Sequence, residues 1–395
     1  MSGQLLPATT QAPIGPGAAT CCEPMSCDPA VVAGDRAAGE ALVLRDQALA
    51  ALDRGDPPAA LALAGRGLAV LEAAGLGGGP DQAALLVAAA EIQEALGAVG
   101  EAGVTIAAAI AILDRVVPQG GDQDLLLVWC QAQERLAGLE RLAGDFGAAA
   151  ARLGGVLDRA SAAFGEASMA VVSAANALGV VGKYAADFGA AEAAYRRAMA
   201  AADGLDGADP LVRAGLLHNL GGLAHSRGDA AGGIPPAEQG LALRAGALGD
   251  GHPDVARDLN ALGALYHLAG RYRDAEDACQ RALAVFEDRY GPGHFEVAMT
   301  CANLAVLHGD QGRFRAAEAL GRRSLRILET VLGPGDAEVG LTLLNLGAAV
   351  AGQGRRAQAA ALTARAVKIL TARLPSGHPH LVAAREMLHG LRRPS

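Results

Sequence analysis

Four glycines, Gly228, Gly270, Gly312 and Gly354, stand 42 residues apart, each closing an apolar run. A fixed period of this size marks a chain assembled from one repeated supersecondary unit, and it restricts the available folds more than length does. Other positions keep the same step: Leu262, Leu304 and Leu346; Ala275, Ala317 and Ala359; Gly251, Gly293, Gly335 and Gly377. One period before Gly228 stands Ala186 and two periods before it stands Gly144, within the twin segments Gly144-Asp145-Phe146-Gly147 and Ala186-Asp187-Phe188-Gly189. Farther back the rhythm loosens, with Gly100 and Gly55 as the expected equivalents, so about eight units run from roughly residue 38 to 376.

Inside a unit the apolar spacing is helical. Leu259, Leu262, Leu265 and Tyr266 form one face, and Gly270 follows where a helix ends in a left-handed cap. After a short turn, Ala275, Cys279, Ala282, Leu283 and Phe286 form a second face, which Tyr290-Gly291-Pro292-Gly293 terminates. Each unit is therefore a hairpin of a helix A and a helix B. Small residues recur where the two approach, at Gly263 and Ala305 on helix A and at Ala275 and Ala317 on helix B. A lone hairpin cannot bury both of its flanks, so neighbours must stack into an α-solenoid.

Composition agrees. Hydrophobic residues make up 51% of the chain and aromatics only 3%, a mixture suited to close-packed helices and poor for β-sheets. The usual reading of 395 residues as two or three globules yields to the repeat. The expected organisation is a Pro/Gly/Cys-containing tail over 1–37, degenerate repeats over 38–120, regular repeats over 121–376, a capping helix over 377–391 and a short tail over 392–395. In the unit after Gly228, the run Gly232-Gly233-Ile234-Pro235-Pro236 is expected to make helix B start late and leave a gap or kink.

The residues Leu262-Gly263, Tyr266, Gly270, Tyr272, Ala275 and Ala282 stand at the signature offsets of the tetratricopeptide repeat family, which the chain resembles. Its longer unit, with Gly251 to Val255, Asn303-Leu304-Ala305, Gly312-Arg313-Phe314 and Ala317-Glu318, is similar to the kinesin-light-chain type. The likeness is strong over 209–391 and only compositional over 38–120. It implies an all-α, right-handed α-solenoid that binds a peptide in its groove.

Several function classes recede. A net charge of -9 disfavours capture of nucleic acid, and the charge-free stretches are too short to span a membrane. Residues 1–22 lack a basic n-region and a continuous apolar core, which points to a cytoplasmic protein. Cys21, Cys22 and Cys27 match no common zinc spacing, while Cys130, Cys279 and Cys301 fall in helical patterns that suit small buried thiols. The pairs His218 with His225 and His252 with His267 lack the i, i+4 spacing of a helical zinc grip. There is no phosphate loop and no nucleophile elbow, so neither cofactor nor catalysis is expected.

Arg197, Arg281, Arg323 and Arg365 share one phase of helix B and read as outer-face residues. Asparagine is the exception. Asn219, Asn303 and Asn345 recur in phase mid-helix A, where Asn is a poor helix former and cannot cap. Their stripe carries mostly small residues, which suits hydrogen bonding to the backbone of an extended peptide. The alternative is an Asn ladder tying adjacent units together. Such asparagines line the cargo groove in the kinesin-like relatives that the chain resembles. The peptide-binding candidates are Asn219, Arg257, Asn260, His267, Asn303 and Asn345. A carboxylate clamp is not supported, because His218, Asn260, Ala302 and Leu344 precede the Asn position. The expected function is a scaffold or adaptor for a protein or peptide partner. A sensor responding to a small ligand or signalling peptide is the alternative, and a hydrolase site near Pro235-Pro236 is a third.

Overall fold

The computed structural model describes residues 29–117, 122–207, 209–374 and 376–393, and among them there are 17 helices and no strand. The fold is an all-α solenoid, divided into two compact units, Met1–Ala208 and Asp209–Ser395. In the first unit the hairpins are α1 (Pro29–Asp53) with α2 (Pro57–Ala73), α3 (Pro80–Ala95) with α4 (Val99–Val116), α5 (Gln123–Leu142) with α6 (Phe146–Phe164), and α7 (Met169–Tyr184) with α8 (Phe188–Asp203). In the second they are α9 (Pro210–Ser226) with α10 (Ala230–Leu248), α11 (Pro253–Leu268) with α12 (Tyr272–Tyr290), α13 (Phe295–Asp310) with α14 (Phe314–Val331), and α15 (Ala337–Gly352) with α16 (Arg356–Arg373). A single helix, α17 (Pro379–Arg392), closes the second unit; its Leu381 and Ala384 are buried against Leu370, while Arg385 and Arg392 face solvent.

The repeat register explains the helix ends. Gly144, Gly228, Gly270, Gly312 and Gly354 all take positive φ between helices A and B, and Ala186 holds the same conformation at φ 59. Gly55 fits this column but Gly100 does not: it lies inside α4, and Gly97, with φ 76, is the turn residue. Gly55 and Gly97 thus restore the 42-residue period, and the extra length before Gly144 falls mainly in α5, which runs 20 residues against 16 in α3 and in α7. Helix α1 also begins upstream of the expected boundary at 38. Residues 1–28, including Cys21, Cys22 and Cys27, lie outside the described residues.

Close approach within hairpins depends on a small residue on helix A wherever helix B brings a larger side chain against it. A Cβ at Gly179 would lie 2.5 Å from the Tyr195 ring, and one at Gly263 would lie 2.5 Å from Cys279 Sγ. One at Gly347 would lie 2.6 Å from Thr363 Oγ1. Where helix A carries Ala305 instead, helix B answers with Gly321. Between hairpins, Val255, Leu259, Leu262, Leu265, Phe286, Leu304, Leu328 and Leu343 form one continuous buried cluster through the second unit. Burying each such side chain contributes roughly 1.5–3 kcal/mol, which no isolated hairpin could gather.

The Gly-Pro run does not delay its helix. Helix α10 starts on time at Ala230, and its cap Asp229 accepts a bond from the Gly232 amide at 2.9 Å. Pro235 and Pro236 lie inside it, depriving the carbonyls of Ala231 and Gly232 of their usual donors. Docking against α9 outweighs that loss, because glycines allow contact too close for side chains. A Cβ at Gly233 would meet Ala224 Cβ at 2.8 Å, and one at Gly240 would meet the Ala214 carbonyl at 3.1 Å.

Candidate functional site

Within each unit successive A helices touch, whereas successive B helices stand farther apart, so the A helices form the inner layer. In the second unit this layer is α9, α11, α13 and α15. Helix geometry places one residue of each turn on its open side, and at the α11–α13 seam those residues are polar and joined across it. Asn303 Nδ2 donates to Asn260 Oδ1 at 3.1 Å between α13 and α11. Arg257 Nε donates to Glu296 Oε1 at 2.9 Å across the same seam, and its Nη1 also reaches Asp254. Burial works against the Arg257 charge, but the bond to Glu296 outweighs it and raises its pKa. His267 Nε2 lies 2.8 Å from Asp310 Oδ2. The first unit uses the same device, with Arg135 paired to Glu91 and Glu94 at 3.0 Å each, and Ser173 Oγ donating to Glu134 Oε2 at 2.5 Å.

Among the sequence candidates, the structure therefore brings Asn260 and Asn303 together, in the ladder arrangement, and anchors Arg257 in ion pairs and His267 in a hydrogen bond to Asp310. Asn219 is half-buried on α9, and Asn345 is exposed on α15. The α9–α11 seam differs. Asp258, only 3% exposed, takes His218 Nδ1 at 2.7 Å and Arg244 Nη1 at 3.2 Å on its Oδ1. Sequence reasoning missed this group, yet the repeat signals it. Arg244 occupies the column of Phe286, Leu328 and Leu370, and Asp258 that of Thr300 and Thr342.

Other candidates have structural roles. His252, His294 and His378 are helix N-caps, each accepting a backbone amide through Nδ1. They share one repeat column, in which Asp336 caps α15 between His294 and His378, and that column was the overlooked signal. On the outer layer Arg323 bonds Glu287 and Arg365 bonds Glu329, each at 2.5 Å, joining neighbouring B helices, whereas Arg281 faces Asp277 of its own helix and Arg197 bonds Glu166 in the α6–α7 connection. Cys130, Cys279 and Cys301 are buried, and burial pushes the first two thiols up to about 12. No group of three or more metal-ligating side chains occurs among the described residues. None of the helices is long and apolar enough to cross a membrane. A cleft of about 260 Å³ lies beside α10, but there Tyr266 Oη donates to Glu238 at 2.6 Å and Arg271 stacks over the Tyr266 ring, leaving these groups engaged with one another.

The sequence model of the tetratricopeptide repeat family matches residues 212–288, 270–330 and 296–372. No curated protein matches the chain. Among solved structures, BtubC (BKLC) from P. vanneervenii is 24% identical over 58% of this chain and 91% of its own, with a TM-score of 0.50. RapI in its apo form is 13% identical over 78% and 81%, with a TM-score of 0.55. A Rap protein solved with Competence and Sporulation Factor is 14% identical over 79% and 88%, with a TM-score of 0.54. At these identities the likeness is one of fold.

Proposed function

We propose that this chain, a tetratricopeptide-repeat protein, is a non-catalytic scaffold that holds an extended peptide segment of a partner along α9, α11, α13 and α15. The observation that carries this reading is the inner layer itself. Its open face presents amides, ion pairs and small residues over a continuous apolar core, and Asn345 stands on it exposed to solvent. Amide groups beside small neighbours suit the alternating donors and acceptors of an extended main chain, which makes recognition tolerant of sequence. With a net charge of -9, a polyanion is a poor occupant.

The test is capture with the full chain followed by cross-link mapping. Retained partners should cross-link to the A helices of the second unit, and Asn345→Ala should weaken their retention. Cross-links confined to α12 and α14 would contradict the reading. A sensor role, in which an occupant alters hairpin stacking, is the second reading; its support is the shared fold with a Rap protein solved with Competence and Sporulation Factor. It would appear as an occupant-dependent change in hydrogen exchange at the hairpin joints.

A further inference from the structure

The repeat serves as its own control, and one seam departs from it. Between α9 and α11, Arg244 and Asp258 replace the apolar and Thr residues that the later units place in the same columns. Both are buried, at 7% and 3% exposure. Asp258 Oδ1 receives two donors, whereas Oδ2 is buried with no hydrogen-bond partner among the described residues. A buried carboxylate oxygen without a donor is costly, so its presence calls for an occupant. Asp258 lines a cavity with His218, Gly221, Gly222, Ala261 and Leu265, with room for one water-sized group, about 10 Å³. In the next seam the Ala261 column carries Asn303, whose amide reaches Asn260; here the methyl of Ala261 leaves that space open. His218, Gly222 and Ala261 are only half-buried, so the cavity communicates with the open face of the A helices.

We infer that this pocket takes one uncharged hydrogen-bond donor, the hydroxyl or primary-amide tip of a peptide side chain lying over the A helices. The peptide as carrier rests on the function proposed above; the preference of the pocket does not. Arg244 already balances the Asp258 charge, so an arriving cation would find no net negative charge to offset its desolvation, and an anion would face the free carboxylate oxygen. A neutral N–H or O–H satisfies Oδ2 without either conflict, and the volume excludes anything bulkier than the donor tip.

The test is an NMR titration of the full chain with acetamide, methylammonium and acetate. Acetamide should shift the Gly221 and Gly222 amides and the His218 ring saturably, with a midpoint in the millimolar range, and the two ions should not. Ala261→Asn, which restores the asparagine of the repeat column, should keep the fold and weaken acetamide at least about tenfold. Ala261→Ser, a shorter plug, provides the same comparison should the first variant misfold. A crystal soak should show the amide nitrogen on Asp258 Oδ2. An absent or unsaturable response, an equal response in the plugged variants, a stronger response to methylammonium, or a water that acetamide does not displace would each overturn the inference. None of these outcomes bears on peptide capture through Asn345, so the two readings fail separately.

Discussion

Asn303 Nδ2 donates to Asn260 Oδ1 at 3.1 Å, joining two helices that belong to successive units. A mid-helix amide thus serves in stacking at one seam, while the in-phase Asn345 is exposed. A double-mutant cycle with Asn260→Ala and Asn303→Ala should give a coupling of about 0.5–1.5 kcal/mol in denaturant unfolding. Asn345→Ala should shift stability by less than about 0.5 kcal/mol, because it removes only a surface group. Equal stability losses at both positions would mean that the ladder extends to α15.

The buried pair of Arg244 and Asp258 should be costly to break and cheap to replace. Asp258→Ala leaves a buried guanidinium unpaired and is expected to destabilise by about 3–5 kcal/mol. The combination of Arg244→Phe and Asp258→Thr installs the residues of the next unit at both columns and should be neutral or stabilising by up to about 4 kcal/mol. Urea unfolding of the single and double variants decides this. A double variant as unstable as the single one would show that the joint needs its charges.

Ala186 occupies a left-handed turn that every other regular unit fills with glycine, at φ 59. An L residue in that region carries a steric cost of roughly 1–2 kcal/mol, partly returned by its lower unfolded-chain entropy. Ala186→Gly should therefore raise stability by about 1 kcal/mol and lift Tm. A lowered Tm would mean that the Ala methyl makes a compensating contact.

Gly263→Ala places a methyl 2.5 Å from Cys279 Sγ and should destabilise by about 1–3 kcal/mol. Adding Cys279→Gly recreates the Ala305 and Gly321 arrangement of the next hairpin and should recover most of that loss. Calorimetry on the three variants provides the comparison. Failure of the second change to rescue the first would contradict the exchange of small positions between helices.

Glu134 and Glu318 should respond to pH with opposite sign. Burial raises the Glu134 carboxyl to about 7, even though Ser173 donates to it. A raised folded-state pKa contributes stability below the ordinary value of 4.5 that is lost as pH rises through about 7. Glu134→Gln should therefore raise Tm at pH 8 more than at pH 5. For Glu318, burial also raises the pKa, but bonds from Gln353, Arg322 and Arg355 outweigh it and hold the group at about 2. Its contribution is present above 4.5 and lost as pH falls towards 2, so Glu318→Gln should lower Tm at neutral pH and converge with the parent in acid. Parallel shifts for the two variants would contradict these assignments.

Much of this architecture was legible in the sequence because each unit is built from local signals. The glycine at the A–B turn, the Leu259 to Tyr266 face and the small pair at Gly263 all follow from helix period and backbone sterics. Gly100 stands in for the turn at Gly97 because the period counted back from Gly144 crosses the longer α5; counted forward from Gly55 it reaches Gly97. Pro235 and Pro236 misled for another reason. Their local penalty is real, but the tight docking of Gly233 and Gly240 against α9 is tertiary and leaves no mark on a propensity count. The site was less legible still: the Asn stripe stood out, whereas Arg244 and Asp258 are separated by a turn and meet only when hairpins stack. Aligning the units column by column would have revealed both.

The most direct test of the whole account is a hydrogen-exchange footprint of the full chain with a captured partner peptide. Protection should appear on α9, α11, α13 and α15, centred on the stripe from Asn303 to Asn345, with α12, α14 and α16 unchanged. Protection confined to the B helices, or none on the A helices at a saturating peptide concentration, would contradict it.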